Sequence, residues 1–204
     1  MRASSTIVQA LASGYERVLC CAEIEDARAL KAELGNAAIT GGEREAQRIE
    51  GFDAGASPRE FREPQAETLI LSTTNGTRTI VAAAEACGEV VLGSLLNLDA
   101  VARLARERGE DTVLLCAGYK DAFAIDDAYC AGRIVALLEA GRTDAAIAAA
   151  LIADRFPDPV EGINARTYGP PGLEEDIAWV AQVDLLDAVP RFARMVGAAA
   201  EITL

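Results

Sequence analysis

Apolar positions along this chain fall into blocks whose spacing switches between the period of a helix and that of a strand. Ile7, Val8, Ala10 and Leu11 recur at helical spacing between Ser4, a residue type that caps helix starts, and Gly14, a type that ends them. Short apolar runs at 17–21, 37–40, 68–72, 89–92 and 112–116 read as buried strands. Helices are predicted over 24–34, 77–87, 97–108, 125–140, 144–154 and 173–183, and a last edge strand over 185–192. Two stretches lack periodicity. Residues 43–67, rich in Gly, Pro and charge, are longer than ordinary connections and are expected to be a functional or partner surface. Residues 158–172, interrupted by prolines, read as a loop. Strands alternating with helices predict the α/β class, with a largely parallel or mixed sheet and one domain over 1–204.

The stretch Ser72-Thr73-Thr74-Asn75-Gly76-Thr77-Arg78 lies between an apolar strand and a helical run. In an open α/β sheet that turn falls at the carboxyl edge, where ligands bind. Its Thr and Asn side chains, the first N–H groups of the following helix and the Arg78 guanidinium are suited to an anion. An internal echo supports the placement. Residues 6–10 resemble 79–83 at a constant offset of 73, and both copies follow a Ser/Thr-rich turn. Arg2 to Thr6 is therefore expected to stand where Asn75 to Thr79 does, with a strand ahead of Arg2. Without such a strand, its neighbours in the sheet are expected to lack backbone partners.

Composition narrows the chemistry. The formal charge is −13, from 32 acidic and 19 basic residues, which excludes non-specific nucleic-acid binding. No apolar run approaches the roughly 20 residues needed to span a bilayer, and the start lacks signal-peptide order, so a cytoplasmic protein without membrane contact is expected. Cys20, Cys21 and Cys116 lie in apolar runs, and with five cysteines and no CxxC pair, reduced thiols are expected. There is no histidine. Ser-His-Asp and Cys-His catalysis, phosphohistidine and His-based metal sites are thereby excluded. P-loop and GxGxxG motifs are absent. Cys116 lacks the arginine six positions on that a cysteine phosphatase requires, since position 122 is Ala. No Asp-x-Asp follows an apolar strand to serve as an aspartyl nucleophile.

What remains are polar clusters at strand exits: Arg2-Ala3-Ser4-Ser5, Gly41-Gly42-Glu43-Arg44, Thr73 to Gly76, Gly93-Ser94 with Asn97, and Ala117-Gly118 with Asp126-Asp127. In a parallel sheet these converge on one edge. Carboxylates without imidazole suit Mg²⁺, and arginines with helix N-termini suit an anion of several oxygens.

Taken in order, RASSTIVQALASG, GGERE, GFDAGASPREF, LSTTNGTR, GSLLNLDAVA, CAGYKDAFAIDDAYCAG and GLEEDIAWVAQVDLLDAVPRF resemble the 2-phosphosulfolactate phosphatase family. The resemblance runs from Arg2 to Phe192. It implies a three-layer α/β/α fold and a Mg²⁺-dependent acid phosphatase. The implied reaction takes 2-phospho-3-sulfolactate to 3-sulfolactate and phosphate, in coenzyme M biosynthesis. The chain departs from the family pattern in two ways. An expected strand and Asp ahead of Arg2 are missing, and Asp126-Asp127 stands where Glu-Asp is usual.

From their places at the strand exits, Glu43, Asp126 and Asp127 are expected to hold Mg²⁺ or activate water. Ser4, Ser5, Thr74, Asn75 and Gly76 are expected to cradle phosphate, with Asn97 nearby. Arg2, with Arg44 or Arg59, is expected to meet a second anionic group. The expected partner is a small anionic phosphorylated substrate, and residues 43–67 are a candidate homodimer contact. The alternative is a non-catalytic remnant or anion-binding protein, resting on the missing strand and Asp.

Overall fold

The structure is a computed structural model that describes residues 2–138, 141–167 and 172–204. The end of the helix expected to reach residue 140, and residues 168–171 of the expected loop, lie outside the described residues. A six-stranded sheet runs in the order β3-β2-β4-β1-β6-β5. Its strands are β1 (Arg17–Cys21), β2 (Ala38–Arg44), β3 (Gln47–Arg48), β4 (Thr68–Ser72), β5 (Arg191–Val196) and β6 (Ala199–Thr203). The centre is parallel, with β4 between β1 and β2. β6 joins β1 antiparallel, and the hairpins β2–β3 and β5–β6 form the margins.

The continuous apolar strands bury both faces, as the period of two requires. Val18, Cys20, Leu69, Leu71, Ala200 and Ile202 point to a core closed by α1 (Arg2–Ala12) and α3 (Gly76–Ala86). Leu19, Cys21, Ile70 and Ala199 point to the opposite core, covered by α2 (Ile24–Leu34). The result is a three-layer α/β/α arrangement. Beyond it, α4 (Leu98–Arg108), α5 (Ile125–Leu137), α6 (Asp144–Arg155), α7 (Pro159–Asn164) and α8 (Glu174–Val180) carry another apolar cluster. That cluster is built on Leu98, Tyr129, Ile134, Ala153, Ile163, Ile177 and Val180.

Several expected boundaries are corrected. Ser4 is not a cap, because α1 already begins at Arg2. Gly41 and Gly42 do not end a strand; they continue β2 because the neighbouring chain needs their side-chain space. A Cβ on Gly42 would lie 2.3 Å from the Ser72 carbonyl oxygen, and one on Gly41 2.7 Å from the Phe61 ring. Glu45 and Ala46, at φ 53° and 63°, then turn the chain into β3. Residues 43–67 are therefore only partly irregular.

The run 89–92 makes a single bridge, Val91 to Arg191, with one hydrogen bond on each side of it. Pro190 has no N–H with which to extend the ladder. The run 112–116 forms no strand, and Val113 and Leu115 are 87% and 62% exposed. Both sheet margins are already hairpins, and apolar residues without a partner strand do not hold a strand in water. The expected edge strand at 185–192 is displaced to β5 and β6, which turn at Gly197. The proline-rich loop contains α7, because Pro159 at the first helical position suits a helix start and Asp158 accepts the Val160 and Glu161 N–H groups. The two later helices end early, α5 at Leu137 and α8 at Val180. The expected bare sheet centre is corrected as well: β1, β2 and β4 are paired on both sides. Among the described residues no helix is long and apolar enough to cross a membrane.

Gly132 lets α5 lie directly on α6, since a Cβ there would come 2.0 Å from the Ala149 carbonyl oxygen. Gly132→Ala gains about 1 kcal/mol of helix propensity, and overpacking against rigid backbone costs about 1–3 kcal/mol. Overpacking wins, so a thermal melt followed by circular dichroism is expected to show a lower midpoint than wild type. An unchanged or higher midpoint contradicts the close packing.

Candidate active site

The carboxyl ends of β2 and β4 meet the starts of α1 and α3. Gly76, at the start of α3, lies so close to α1 that a Cβ would be 2.3 Å from that of Ala3. The turn into α3 is held from within: the Thr73 N–H donates to the Thr77 hydroxyl, and the Thr77 N–H to the Thr73 hydroxyl. Glu43 clamps it from outside. Its carboxylate accepts the Thr74 N–H at 2.8 Å, the Thr74 hydroxyl at 3.1 Å and the Ala46 N–H at 2.7 Å. Arg2 stands 3.8 Å away. Arg44 closes the same corner, donating to the Ser72 hydroxyl and to the Glu43 carbonyl.

Arg2 also reaches Asp176 on α8, at 3.5 Å, so its guanidinium bridges two carboxylates that are nearly buried. Asp176 in turn accepts the Ser57 hydroxyl at 2.5 Å. Ser57 opens a short 3-10 turn, Pro58–Phe61, and is fixed by a capping box with Glu60. The Thr6 hydroxyl donates to the Ala56 carbonyl, and Asp53 accepts both the Thr40 N–H and its hydroxyl, so residues 53–57 are fastened to α1 and β2. The Thr40 N–H, opposed by partial burial and aided by the Thr40 hydroxyl and Lys31, holds the Asp53 carboxyl below its ordinary pKa. A cavity of about 400 Å³ opens between these parts. Its lining includes four arginines, Arg2, Arg48, Arg59 and Arg62, against two acids, Glu60 and Asp176. Arg62 lies 5.4 Å over the Trp179 ring, and Arg59 pairs with Glu175.

On the α5 side, Asp126 is buried and Asp127 accepts the Gly118 N–H at 2.9 Å. Residues 119–122 form a tight turn with Lys120 and Asp121 at φ 50° and 60°. The Lys120 N–H donates to the Asn75 side chain, and its ammonium pairs with Glu45. The starts of α5, α3 and α1 are thus linked in sequence. Oxygen-only donors suit a hard cation that keeps water and takes one or two carboxylates, and the neighbouring Asp126 and Asp127 supply such a pair. Glu43 stands at the neighbouring corner, where its oxygens accept hydrogen bonds from Thr74 and Ala46. Among the described residues no three acidic or thiol groups are placed to share a metal.

The structure brings Arg2 and Arg59 into the cavity lining. Ser4 and Ser5 occupy the first turn of α1, with Ser5 buried. Glu43, Arg44 and Thr74 hold the adjoining corner, and Asn75 and Gly76 hold the contacts of the α3 start. Asn97 faces elsewhere: its amide is buried against Ser94, Leu92 and Ala188, which use both of its ends. Arg78 is exposed on α3. Cys20 and Cys21 are buried, and burial pushes the Cys21 thiol up to about 12. Cys116 is exposed rather than buried, because its segment forms no strand. Sequence reasoning assigned no site role to Ser57, Asp176, Arg48 or Arg62. The Ser57-to-Glu60 spacing of a capping box was a usable signal, whereas Asp176 is hidden in an acidic first turn that helix electrostatics alone explains.

A family model described as 2-phosphosulpholactate phosphatase matches residues 1–194. A Clostridium acetobutylicum protein named as a probable 2-phosphosulfolactate phosphatase is 36% identical over 94% of this chain and 86% of its own length. A Thermus thermophilus protein of the same name is 36% identical over 98% of this chain and 87% of its own. One from Gloeobacter violaceus, also so named, is 35% identical over 94% of this chain and 84% of its own.

Glu43→Gln turns one acceptor oxygen into a donor facing the Thr74 or Ala46 N–H. Leaving such a buried group unmatched costs about 1–3 kcal/mol, so urea unfolding without added metal is expected to show an earlier midpoint with unchanged slope. Equal midpoints contradict the clamp. For Asp53, folding lowers the pKa, so the unfolded chain takes up this proton first as pH falls. The stabilisation is complete above the ordinary carboxylate value of about 3.9 and is lost as pH falls through the lowered folded value. Asp53→Asn is expected to lower stability at neutral pH and to flatten its fall at acid pH, read by urea unfolding across pH. A parallel fall in both proteins contradicts this.

Proposed function

The chain belongs to the 2-phosphosulfolactate phosphatase family, and on that premise we propose that it hydrolyses the phosphate ester of a small acidic 2-hydroxy acid. The substrate that the relatives' names indicate is 2-phospho-3-sulfolactate, which would place the reaction in coenzyme M biosynthesis. The observation that carries the reading is the arginine-lined cavity. A phosphate, a carboxylate and a sulfonate on one small molecule need several cations at close range. On a chain of net charge −13 that attraction has to be local, and four guanidinium groups around about 400 Å³ provide it. Guanidinium forks match the paired oxygens of all three groups. Arg2 and Arg59 bind the phosphoryl group in this reading, and Arg48 and Arg62 the second acid.

Mg²⁺ belongs to the same reading. Asp126 and Asp127 would hold it together with water, and when bound it would offset negative charge on the transferring phosphoryl group. The chain's own residues do the rest. The Glu43 clamp and the Gly76–Ala3 contact fix the start of α1, and with it Arg2. The Asp53–Thr40 and Thr6–Ala56 bonds fix the 53–57 wall.

The test is phosphate release by purified protein with Mg²⁺ from a panel of phosphate esters. Esters of 2-hydroxy acids that carry a second acidic group are expected to turn over at least about tenfold better in kcat/KM than an uncharged phosphomonoester, since a charge-assisted contact contributes about 1.5–3 kcal/mol. Chelation is expected to remove the activity and Asp127→Asn to raise the Mg²⁺ requirement. No phosphate release, or indifference to the second acid, contradicts the proposal.

A further inference from the structure

Among the described residues that line the cavity, Ser57 carries the one hydroxyl. That hydroxyl donates to the Asp176 carboxylate, which is 7% exposed and itself lines the cavity. A nucleophile beside a base, in a site built for phosphate, is the arrangement that covalent catalysis requires. We infer that the phosphoryl group passes through Ser57, with Asp176 as its base; the inference rests on the phosphatase reading above.

Two features separate this pair from an ordinary helix cap. First, a cap needs only the serine oxygen as acceptor, and the Arg59 N–H already uses it at 3.3 Å. The serine proton is directed away from the turn, across 119 residues of chain, to a carboxylate on another helix. Second, the far oxygen of that carboxylate faces Arg2, so one guanidinium touches the base while lining the same cavity as Ser57 and Arg59. In a chain without histidine, the carboxylate in contact with this hydroxyl is the group placed to act as its base.

The chemistry balances with water alone. In the first half, Ser57 Oγ attacks phosphorus, the Oγ–P bond forms and the bond from phosphorus to the substrate's C2 oxygen breaks. The serine proton passes to Asp176, and the departing alkoxide takes a proton from solvent. Arg2 and Arg59 meet the charge on the phosphoryl oxygens. In the second half, water attacks the phosphoserine, the Oγ–P bond breaks and Asp176 returns its proton to Oγ. Phosphate leaves with the water oxygen and releases the borrowed proton to solvent.

The experiment uses wild-type protein and a substrate made chiral at phosphorus with oxygen isotopes. Two displacements give net retention, and one direct attack by water gives inversion. Retention is expected, together with phosphoserine at Ser57 in peptides from acid-quenched turnover. Ser57→Ala is expected to lower kcat about 10³-fold or more and to remove the labelled peptide. Asp176→Asn keeps an acceptor for the hydroxyl but no base, and is expected to lower kcat about 10²-fold with little change in KM. Inversion, or full activity in Ser57→Ala, overturns the covalent route and leaves the phosphatase reading standing. Failure of the wild type to release phosphate from any ester overturns that reading and this inference with it.

Discussion

One carboxylate holds the business edge of this fold together. Glu43 stands at the end of β2 and binds the Thr74 N–H just past β4, the N–H of its own β-turn and, more loosely, Arg2 of α1. It gives three chain segments that carry the candidate site a common point. The clamp works because Gly41 and Gly42 let β2 press against Ser72 and Phe61, which brings Glu43 level with Thr74. The glycine pair therefore acts at a distance: it sets the reach of an acidic side chain two residues on.

From that corner the electrostatics unfold in order. Arg2 lies between Glu43 and Asp176, so neither carboxylate is left as an uncompensated buried charge. Asp176 orients Ser57, and the 53–62 segment brings Arg59 and Arg62 to the cavity. The surface as a whole repels anions, while this cavity concentrates guanidinium groups. An acidic protein selects an anionic ligand by local arrangement rather than by its overall field.

The sequence revealed more of the fold than of the site. Strands with apolar residues on both faces, such as Val18 to Cys21 and Leu69 to Leu71, could be read directly because burial on both sides needs an uninterrupted run. The runs at 89–92 and 112–116 look alike in sequence, yet neither is a sheet strand. Pairing is a tertiary property: Pro190 blocks one, and hairpins hold the sheet margins away from the other. The β5–β6 hairpin went unread although Gly197 marks its turn. Arg2 could be placed beside the 73–76 turn because strand exits converge at one edge, whereas Arg59, in the long 43–67 stretch, reaches the cavity from a 3-10 turn that no period marks. Asn97 could not, since a polar residue at a strand exit looks the same whether it faces a ligand or caps a buried turn. Asp176 was illegible because its partner Ser57 lies 119 residues earlier, and no local pattern joins them.

The central claim is that the arginine cavity is where the acidic substrate binds. Titration calorimetry with 3-sulfolactate, comparing wild type with an Arg48→Ala/Arg62→Ala double variant of unchanged thermal midpoint, tests it most directly. Loss of two charge-assisted contacts predicts binding at least about tenfold weaker in the variant. Equal affinity in the two proteins would contradict the account.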